Sequence, residues 1–407
     1  MRIAIVGTGI SGTTLALRLQ QLGIETTVFA EKSQDAIRRG RLLNTVARFE
    51  HTLARERELG VDLWSDPAYA MTSLQVRSVD PLPLSFDGRP AHPVRAVDFR
   101  VLLPAFLDVY EQRGGALAEG PEPDLSAVSR EHDLVVVAVG RRSADLFPVR
   151  SDRSPYSAPQ RVLFAGIFDG LALPEPLGLS FNIAPGVGEL FQMPILTADG
   201  LSTNILIEAI PGGPLSVLAE IPPDDSSFVP VLLSLLDTHA PAIARRIDTS
   251  AFALRDPRDA LQGALTPAVR DACATLPDGT LALAIGDAWI TNDPIIGQGA
   301  NIGSHCAWVA AEHIAAGGPF DASWGRRVSD DMWAFAGPTT AWTNAFLQPP
   351  PPHVIALLLA AAEHQDVADA FASGFADPVG TATMLADPAR TEAFIASAAP
   401  VTVGASR

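Results

Sequence analysis

The stretch RIAIVGTGISGTTLALRLQQLG, residues 2–23, joins a short apolar strand to a helix through a glycine-rich loop. The residues before the loop are apolar and rich in β-forming types, and the leucines after it have helical spacing up to Gly23. The run ETTVF, residues 25–29, then predicts a second strand. This order of strand, glycine loop, helix and strand is the setting in which a GxGxxG pattern binds a dinucleotide.

Five of the six residues of the loop GTGISG have a predicted task. Gly7 permits the tight turn, Gly9 lets the backbone approach a pyrophosphate, and Gly12 lets helix and strand pack closely. Ile10 and Ser11 begin the helix, whose free N–H groups and dipole favour a diphosphate. The alternative is a glycine-rich turn that binds no ligand.

An acidic residue is expected about 20 positions after this loop, where it would bind a ribose hydroxyl. Glu31 follows the predicted second strand and is assigned this role, with Lys32 beside it. Glu31 lies one residue later than the usual spacing, which would use Ala30.

Residues 281–301 predict the other end of the same ligand. An apolar run ends on a glycine and an aspartate, and further glycines precede an alanine-rich helical run. A carboxylate at a strand end can bind a polyol hydroxyl, and bare N–H groups at a helix start can face an electron-rich ring edge. FAD fits both features, whereas the alternative is an ordinary strand-to-helix loop with a capping aspartate. The predicted FAD contacts here are Asp287, Gly297, Gly299, Ala300 and Asn301.

Length and composition bound the class of protein. A chain of 407 residues exceeds one compact core, so we expect two domains. The net charge of −17 argues against nucleic acid or an anionic membrane as a partner. Two cysteines, the lack of a signal-peptide pattern and the lack of a long apolar run favour a cytoplasmic protein. The histidines and cysteines have no metal-ligand spacing, so the sequence predicts no metal site.

The rest of the chain predicts an α/β fold: a Rossmann-like FAD-binding domain with an inserted, mostly β substrate domain and a C-terminal helical segment. The apolar strand DLVVVAVG ends at Gly140, a second close-approach glycine, followed by residues 141–143. From about 161 to 236 the sequence has strands joined by Gly, Pro and Asp turns, and PPPP at 349–352 separates a helical tail. The predicted domains are 1–68, 96–158 and 276–345 for FAD, 69–95 and 159–275 for the substrate, and 346–407 for the helices.

Several segments together resemble a known enzyme family. RLLNTVA at 41–47, RAVDFR at 95–100, SFNIAPGVGELFQMP at 180–194, DPIIGQGAN at 293–301 and TAWTNAFL at 340–347 look like the oxygenase component of two-component styrene and indole monooxygenases. That family is part of the flavoprotein monooxygenases with the p-hydroxybenzoate hydroxylase fold. The resemblance extends over nearly the whole chain up to the PPPP break.

The resemblance implies a two-component mechanism. A separate NADH:FAD reductase would supply reduced FAD as a diffusible co-substrate, and O2 would form a C4a-(hydro)peroxyflavin that epoxidises styrene, indole or a bulkier apolar alkene. The single dinucleotide fingerprint agrees with an external source of electrons. So does Ala138-Val139-Gly140, which stands where single-component relatives have Asp-Gly. A homodimer is a further expectation.

The resemblance also implies roles for individual residues. Asn44 and Pro294 would lie beside the flavin ring and the substrate, and Arg41 and Arg100 would contact FAD phosphate or ribityl groups. The substrate pocket would be lined by five residues, of which all but Val46 depart from the residue type expected in styrene monooxygenases. These pocket residues are Val46, Arg48, Met71, Leu74 and Val94.

Three other functions stay open from the sequence. A single-component NAD(P)H-dependent aromatic hydroxylase has the same fold and would consume NADH without a partner. A flavin-dependent halogenase or reductase is a second, although the Trp-x-Trp motif of halogenases is absent from all six tryptophan sites. A non-catalytic FAD-binding protein is the third.

Overall fold

The computed structural model describes residues 1–140 and 145–398. The predicted loop residues 141–143 and the last part of the predicted C-terminal segment, 399–407, lie outside the described residues. The strands are β1 (Arg2–Val6), β2 (Glu25–Ala30), β3 (Ser73–Ser78), β4 (Leu84–Gly88), β5 (Ala116–Glu119), β6 (Leu134–Val137), β7 (Val162–Asp169), β8 (Gly178–Ala184), β9 (Gly188–Thr197), β10 (Gly200–Ala209), β11 (Ala253–Leu254), β12 (Ala260–Ala264), β13 (Ala268–Val269), β14 (Cys273–Thr275), β15 (Leu281–Ala284) and β16 (Ile290–Thr291). The helices are α1 (Ile10–Gln21), α2 (Gln34–Arg38), α3 (Glu50–Leu59), α4 (Phe99–Gln112), α5 (Leu125–Ser129), α6 (Phe228–His239), α7 (Pro241–Ala244), α8 (Gly299–Ala315), α9 (Ala322–Phe346), α10 (Pro352–Glu363), α11 (Gln365–Ser373), α12 (Pro378–Leu385) and α13 (Pro388–Ala398).

The first sheet has the strand order β14-β15-β6-β1-β2-β5 and is parallel except for β14. Its central strands are continuous apolar runs, which suits strands covered on both faces. Helices α1, α4 and α8 share one hydrophobic core with these strands. Because parallel strands end at the same edge, the loops after β1, β6 and β15 lie next to one another, where α/β sheets bind ligands.

The second sheet has the order β11-β7-β10-β9-β8-β3-β4, with β12 also paired to β7. Its neighbouring strands are antiparallel apart from β3 and β8. Alternate side chains of each strand face opposite sides. Ile205 and Ile207 of β10 pack with α6 in one core, whereas Leu206 faces a different core that contains the C-terminal helices.

The C-terminal helices pack against β4 and α9. Arg89 donates its backbone N–H to Asp369 Oδ1 at 2.7 Å, and Gln365 Nε2 donates to the Asp87 carbonyl at 2.7 Å. A Cβ added to Gly88 would overlap the carbonyl oxygen of Ala368, so this glycine sets how closely α11 approaches the sheet. The predicted α/β fold with C-terminal helices is confirmed. No helix in the described ranges is long and apolar enough to cross a bilayer.

Candidate active site

The glycines of the loop after β1 have two kinds of surroundings. Gly7 has φ of +115°, and a Cβ there would lie 2.6 Å from the backbone carbonyl of Ala138 at the end of β6. A Cβ on Gly12 would overlap the Gly7 carbonyl oxygen. By contrast, a Cβ on Gly9 would meet no described atom within 4 Å. Two glycines are therefore required for packing, and the third faces open space at the start of α1.

The helices α1 and α8 both begin without a cap from any described side chain. Gly9 is the N-cap of α1 and Gln298 that of α8, and neither first turn contains an acidic residue. A Cβ on Gly299 would also meet no described atom within 4 Å. Uncapped N–H groups at a helix start, together with the helix dipole, favour an anion or an electron-rich group. Both poles that the sequence predicted for FAD thus have bare helix starts and open space.

Ser11 joins these two poles. A Cβ on Gly286 would lie 2.5 Å from Ser11 Oγ, and a Cβ on Gly303 would overlap the same oxygen. The first turn of α1 therefore packs directly on α8 and on the loop after β15. Sequence reasoning did not single out Gly303, although a glycine four residues after Gly299 on one helical face is a signal for close packing.

The polar residues predicted around FAD lie at the same sheet edge. Asp287 is exposed, and its Cβ would lie 3.8 Å from a Cβ on Gly140, because β15 and β6 are neighbouring strands. Glu31 and Lys32 are exposed directly after β2, the other neighbour of β1. The structure thus brings together residues that are separated by up to 256 positions along the chain.

The prediction for Asn301 concerns its backbone N–H at the start of α8, whereas its side chain is fully buried. Its Oδ1 accepts from the Phe49 N–H at 3.2 Å and from Thr52 Oγ1 at 2.7 Å. Its Nδ2 donates to the carbonyl oxygens of Ala47 at 2.9 Å and Gly297 at 2.8 Å. The side chain therefore holds residues 47–52 against the start of α8 and has no remaining capacity for a cofactor. Ala300 is the next residue back in the same helical turn.

Arg100, for which the resemblance predicts contacts with FAD phosphate or ribityl groups, is half-buried at the start of α4. Its guanidinium contacts Asp98 at 2.5 Å and Asp259 at 2.6 Å, so two carboxylates already neutralise it. It therefore anchors the start of α4 to the segment before β12. Arg41 and Asn44, in contrast, are exposed, and Asn44 Oδ1 accepts from the Thr45 N–H at 2.8 Å.

An apolar cavity lies between the second sheet, the segment 45–49, the turn 294–297 and the C-terminal helices. It encloses about 800 Å³ of unfilled space, part of which is open to solvent. Among the described residues that line it, only three have polar side chains, namely Thr45, Ser73 and Asn204. The other lining residues are Ala47, Phe49, Met71, Leu74, Pro90, Val94, Leu179, Phe181, Phe191, Met193, Leu206, Pro294, Ile295, Ile296, Gly297, Ala372 and Phe375.

The structure places Met71, Leu74, Val94 and Pro294 on this lining, but not Val46 or Arg48. The segment 45–49 is extended, so alternate side chains face opposite sides. The side chains that line the cavity are those of Thr45, Ala47 and Phe49. Val46 packs in the core of the first sheet. Arg48 is 2% exposed and forms an ion pair with Glu56. A charged side chain in an apolar pocket would need such a partner. This requirement is the signal by which the sequence could have predicted which alternate side chains of the segment face the cavity.

The C-terminal segment contributes residues to the wall of the cavity. Ala372 and Phe375 line it, and the Phe375 carbonyl accepts from Gln298 Nε2 at 2.9 Å. His51 Nδ1 lies 3.2 Å from the Ala376 carbonyl oxygen. The cap residue of α8 and the segment after α11 are thus directly linked. Sequence reasoning did not predict any pocket residue from the C-terminal segment.

Two buried carboxyl groups, those of Asp293 and Glu208, lie next to the turn 294–297. Asp293 Oδ1 accepts from the Ile295 N–H at 3.2 Å and so shapes this turn. Glu208 of β10 is fully buried. Burial and the nearby charge of Asp293 raise the pKa of Glu208 well above its ordinary value, and burial also raises the pKa of Asp293. The neighbouring Arg161 is paired with Glu189 at 2.7 Å.

Solved structures show the same fold at low sequence identity. A triple mutant of the flavin-dependent brominase Bmp2 matches with a TM-score of 0.69 and 14% identity, over 97% of this chain and 98% of that chain. A flavoprotein/dehydrogenase from Cytophaga hutchinsonii matches with a TM-score of 0.70 and 11% identity, over 98% and 99%. At these identities the likeness concerns the fold alone.

Sequence relatives are much closer. Residues 140–246 match the family described as "Styrene monooxygenase A putative substrate binding domain". The chain is 34% identical over 386 residues to the styrene monooxygenase StyA of Pseudomonas fluorescens, which covers 93% of both chains. It is also 34% identical over 408 residues to StyA of a Pseudomonas species, which covers 98% of both chains. The resemblance read from the sequence is therefore confirmed, and the chain belongs to the styrene monooxygenase family of flavin-dependent monooxygenases.

Proposed function

We propose that this chain is the oxygenase of a two-component system, which takes reduced FAD from a separate NADH:FAD reductase. With O2 it epoxidises an apolar aromatic alkene such as styrene or indole. The observation that carries this proposal concerns the turn 294–297, which is common to the cavity and the proposed flavin site. The turn lines the apolar cavity and leads directly into the bare start of α8. A ring bound at that helix start would form one wall of the substrate cavity.

The residues present fit FAD. The open space beside Gly9 at the uncapped start of α1 suits the pyrophosphate, and exposed Glu31 suits the ribose at the end of β2. Asp287 would bind the ribityl chain, and the N–H groups of Gly299 and Ala300 would face the electron-rich edge of the flavin. Lys32 follows β2 at this edge of the sheet, and Arg41 is exposed; both are candidates for phosphate contacts.

We divide the chain in the same way as the sequence suggested. Residues 1–68, 96–158 and 276–345 would form the FAD-binding domain, and 69–95 with 159–275 would form the substrate domain. The segment 346–407 would complete the cavity through its helices. The strand ranges of the two sheets support this division except at β14 (Cys273–Thr275), which pairs with β15 of the first sheet although it lies within 159–275.

The chain's own residues would exclude water and orient the substrate. Bound reduced FAD supplies the electrons that activate O2. The apolar lining of the cavity removes water from the reacting groups, which protects a reactive oxygen species from decay. Pro294 would hold the substrate against the flavin, and Asn301 fixes the segment 45–49 that forms the adjacent wall.

The test is to supply reduced FAD without any reductase. Chemically reduced FAD is mixed anaerobically with the purified chain, then with oxygenated buffer and styrene or indole, and products are separated by chromatography. We expect epoxide, or the pigment that forms from oxidised indole, in proportion to the reduced FAD supplied. Release of hydrogen peroxide alone with both substrates, or NADH oxidation by the isolated chain, would contradict the proposal.

A further inference from the structure

Asn204 is a polar exception in the apolar cavity. It lies in the middle of β10, is 1% exposed and contributes to the cavity lining. Its Oδ1 has no hydrogen-bond partner among the residues that the structure describes. The residues paired with it on the two neighbouring strands are Met193 of β9 and Ile167 of β7, both apolar.

A buried amide oxygen without a partner needs a physical explanation. Burial removes its hydrogen bonds to water, and the lost bonds are not replaced by neighbouring strands. Leu206, two residues further on the same face, shows that an aliphatic side chain fits this surface of the cavity. A trapped water would need two to four polar partners, and an apolar lining is a poor source of them. A ligand that enters the cavity is the remaining partner.

We propose that Asn204 is a specificity-determining residue whose side-chain oxygen accepts a hydrogen bond from the substrate. The favoured substrate is then an aromatic alkene with a ring N–H, as in the indole ring system, rather than a pure hydrocarbon. This inference rests on the proposed function because it takes the cavity to be the substrate site. The hydrogen bond fixes the ring in one orientation, while the apolar walls bind its faces.

The amide accepts at only one of its two terminal atoms, so the substrate's chemistry can be tested atom by atom. Indole, indene and benzofuran share one bicyclic frame and carry an N–H donor, a CH2 group and an oxygen acceptor at the same position. A site that is built to bind a donor discriminates strongly against an analogue that lacks it, because the buried protein group is then left unpaired.

The experiment compares Asn204→Leu with wild type for all three compounds. Dissociation constants are measured by calorimetry on the full chain with FAD present, and kcat/KM is measured with excess reduced FAD. We expect Asn204→Leu to weaken indole binding about tenfold, with a similar loss in kcat/KM. Binding of indene and benzofuran stays within about twofold or improves, because no polar group remains to be desolvated.

A matched control is Leu206→Val, which changes the volume of the same face without changing its polarity. We expect this variant to shift all three compounds together. Asn204→Val serves as a second apolar variant if the leucine variant does not fold. The wild-type preference for indole over indene needs no variant at all.

Three results would overturn the inference: equal binding of indole and indene by wild type, an equal loss for both in Asn204→Leu, or a loss confined to benzofuran. Failure of the proposed function looks different. In that case wild type oxygenates none of the three compounds, while the loss of indole binding in Asn204→Leu persists and supports the role of Asn204.

Discussion

At the scale of single residues, the glycines of the loop after β1 have two different roles: some are required for packing, and another leaves the space that we propose for the cofactor. Gly12 has no room for a side chain because its Cβ would overlap the Gly7 carbonyl oxygen, whereas a Cβ on Gly9 would extend into open space. Both are alike in the sequence pattern. Because their surroundings differ, we expect an alanine at each position to have a different effect. The two positions therefore form a matched pair for mutation.

We predict that Gly9→Ala leaves the melting temperature within about 1 °C of wild type and weakens FAD binding about tenfold. Gly9 has an extended backbone that alanine adopts without strain, and a Cβ there meets no described atom within 4 Å. The added methyl group would instead occupy the space that the diphosphate needs. Thermal unfolding and a fluorescence titration with FAD measure the two effects. Gly12→Ala is the comparison, and we expect it to lose stability first. Unchanged FAD affinity in Gly9→Ala would place the diphosphate elsewhere.

At the scale of elements, a cluster of buried charged groups lies beside the turn 294–297. Glu208 of β10 is buried next to Asp293, and the Arg161–Glu189 ion pair lies nearby. The pKa of Glu208 is raised in the folded chain, chiefly by burial. The folded state therefore binds a proton here that the unfolded state releases above about pH 4.5, the ordinary value for a glutamate.

The sign of the resulting pH dependence follows from linkage. Where the folded state binds more protons, the free energy of unfolding falls as pH rises through the window above 4.5. We predict that Glu208→Gln, which keeps the shape without the titration, raises stability more at pH 8 than at pH 5. Urea unfolding at both pH values, with Glu220→Gln as a control on a residue outside this cluster, measures the difference. A gain of equal size at both pH values would mean that Glu208 does not titrate in this window.

The contact between β4 and α11 is the second element-scale feature. A Cβ on Gly88 would overlap the Ala368 carbonyl oxygen and lie 2.8 Å from the Ala372 Cβ, and Ala372 lines the cavity. Moving α11 outward would let water into the cavity.

We predict that Gly88→Ala lowers the melting temperature and raises the share of reduced FAD that ends as hydrogen peroxide rather than product. FAD affinity should stay near the wild-type value because the proposed cofactor cleft lies at the other sheet. Gly263→Ala is the control, since a Cβ there meets no described atom within 4 Å. Product yield per reduced FAD, measured beside peroxide, is the test. If Gly88→Ala kept the wild-type yield, the C-terminal helices would not seal the cavity.

At the scale of the whole molecule, charge acts on the cofactor. The chain has 46 acidic against 29 basic residues, for a net charge of −17, and FAD is an anion. Long-range repulsion would slow the encounter with FAD, and salt screens such repulsion over about 10 Å at 0.1 M. The basic run Arg38 to Arg41 has the opposite sign but is short, and Arg38 is paired with Asp35 and Asp108.

We predict that the association rate of FAD rises about twofold between 20 and 200 mM salt, as expected for like-charged partners. Stopped-flow fluorescence at several FAD concentrations gives this rate, and riboflavin, which lacks the phosphates, serves as the uncharged comparison. A rate that falls with salt would show that the local basic run dominates the field at the cleft.

The sequence by itself determined the order of strand, glycine loop and helix at both ends of the proposed cofactor cleft, and the family. Those features are local: apolar periodicity, glycine sterics and helix starts depend on residues a few positions apart. Only the tertiary structure decided which face of 45–49 meets the cavity, that Arg100 is engaged by Asp259, and that Phe375 and Asn204 line the same space. These outcomes depend on contacts between segments that are hundreds of residues apart, where a shift of one residue in an extended segment reverses every side chain.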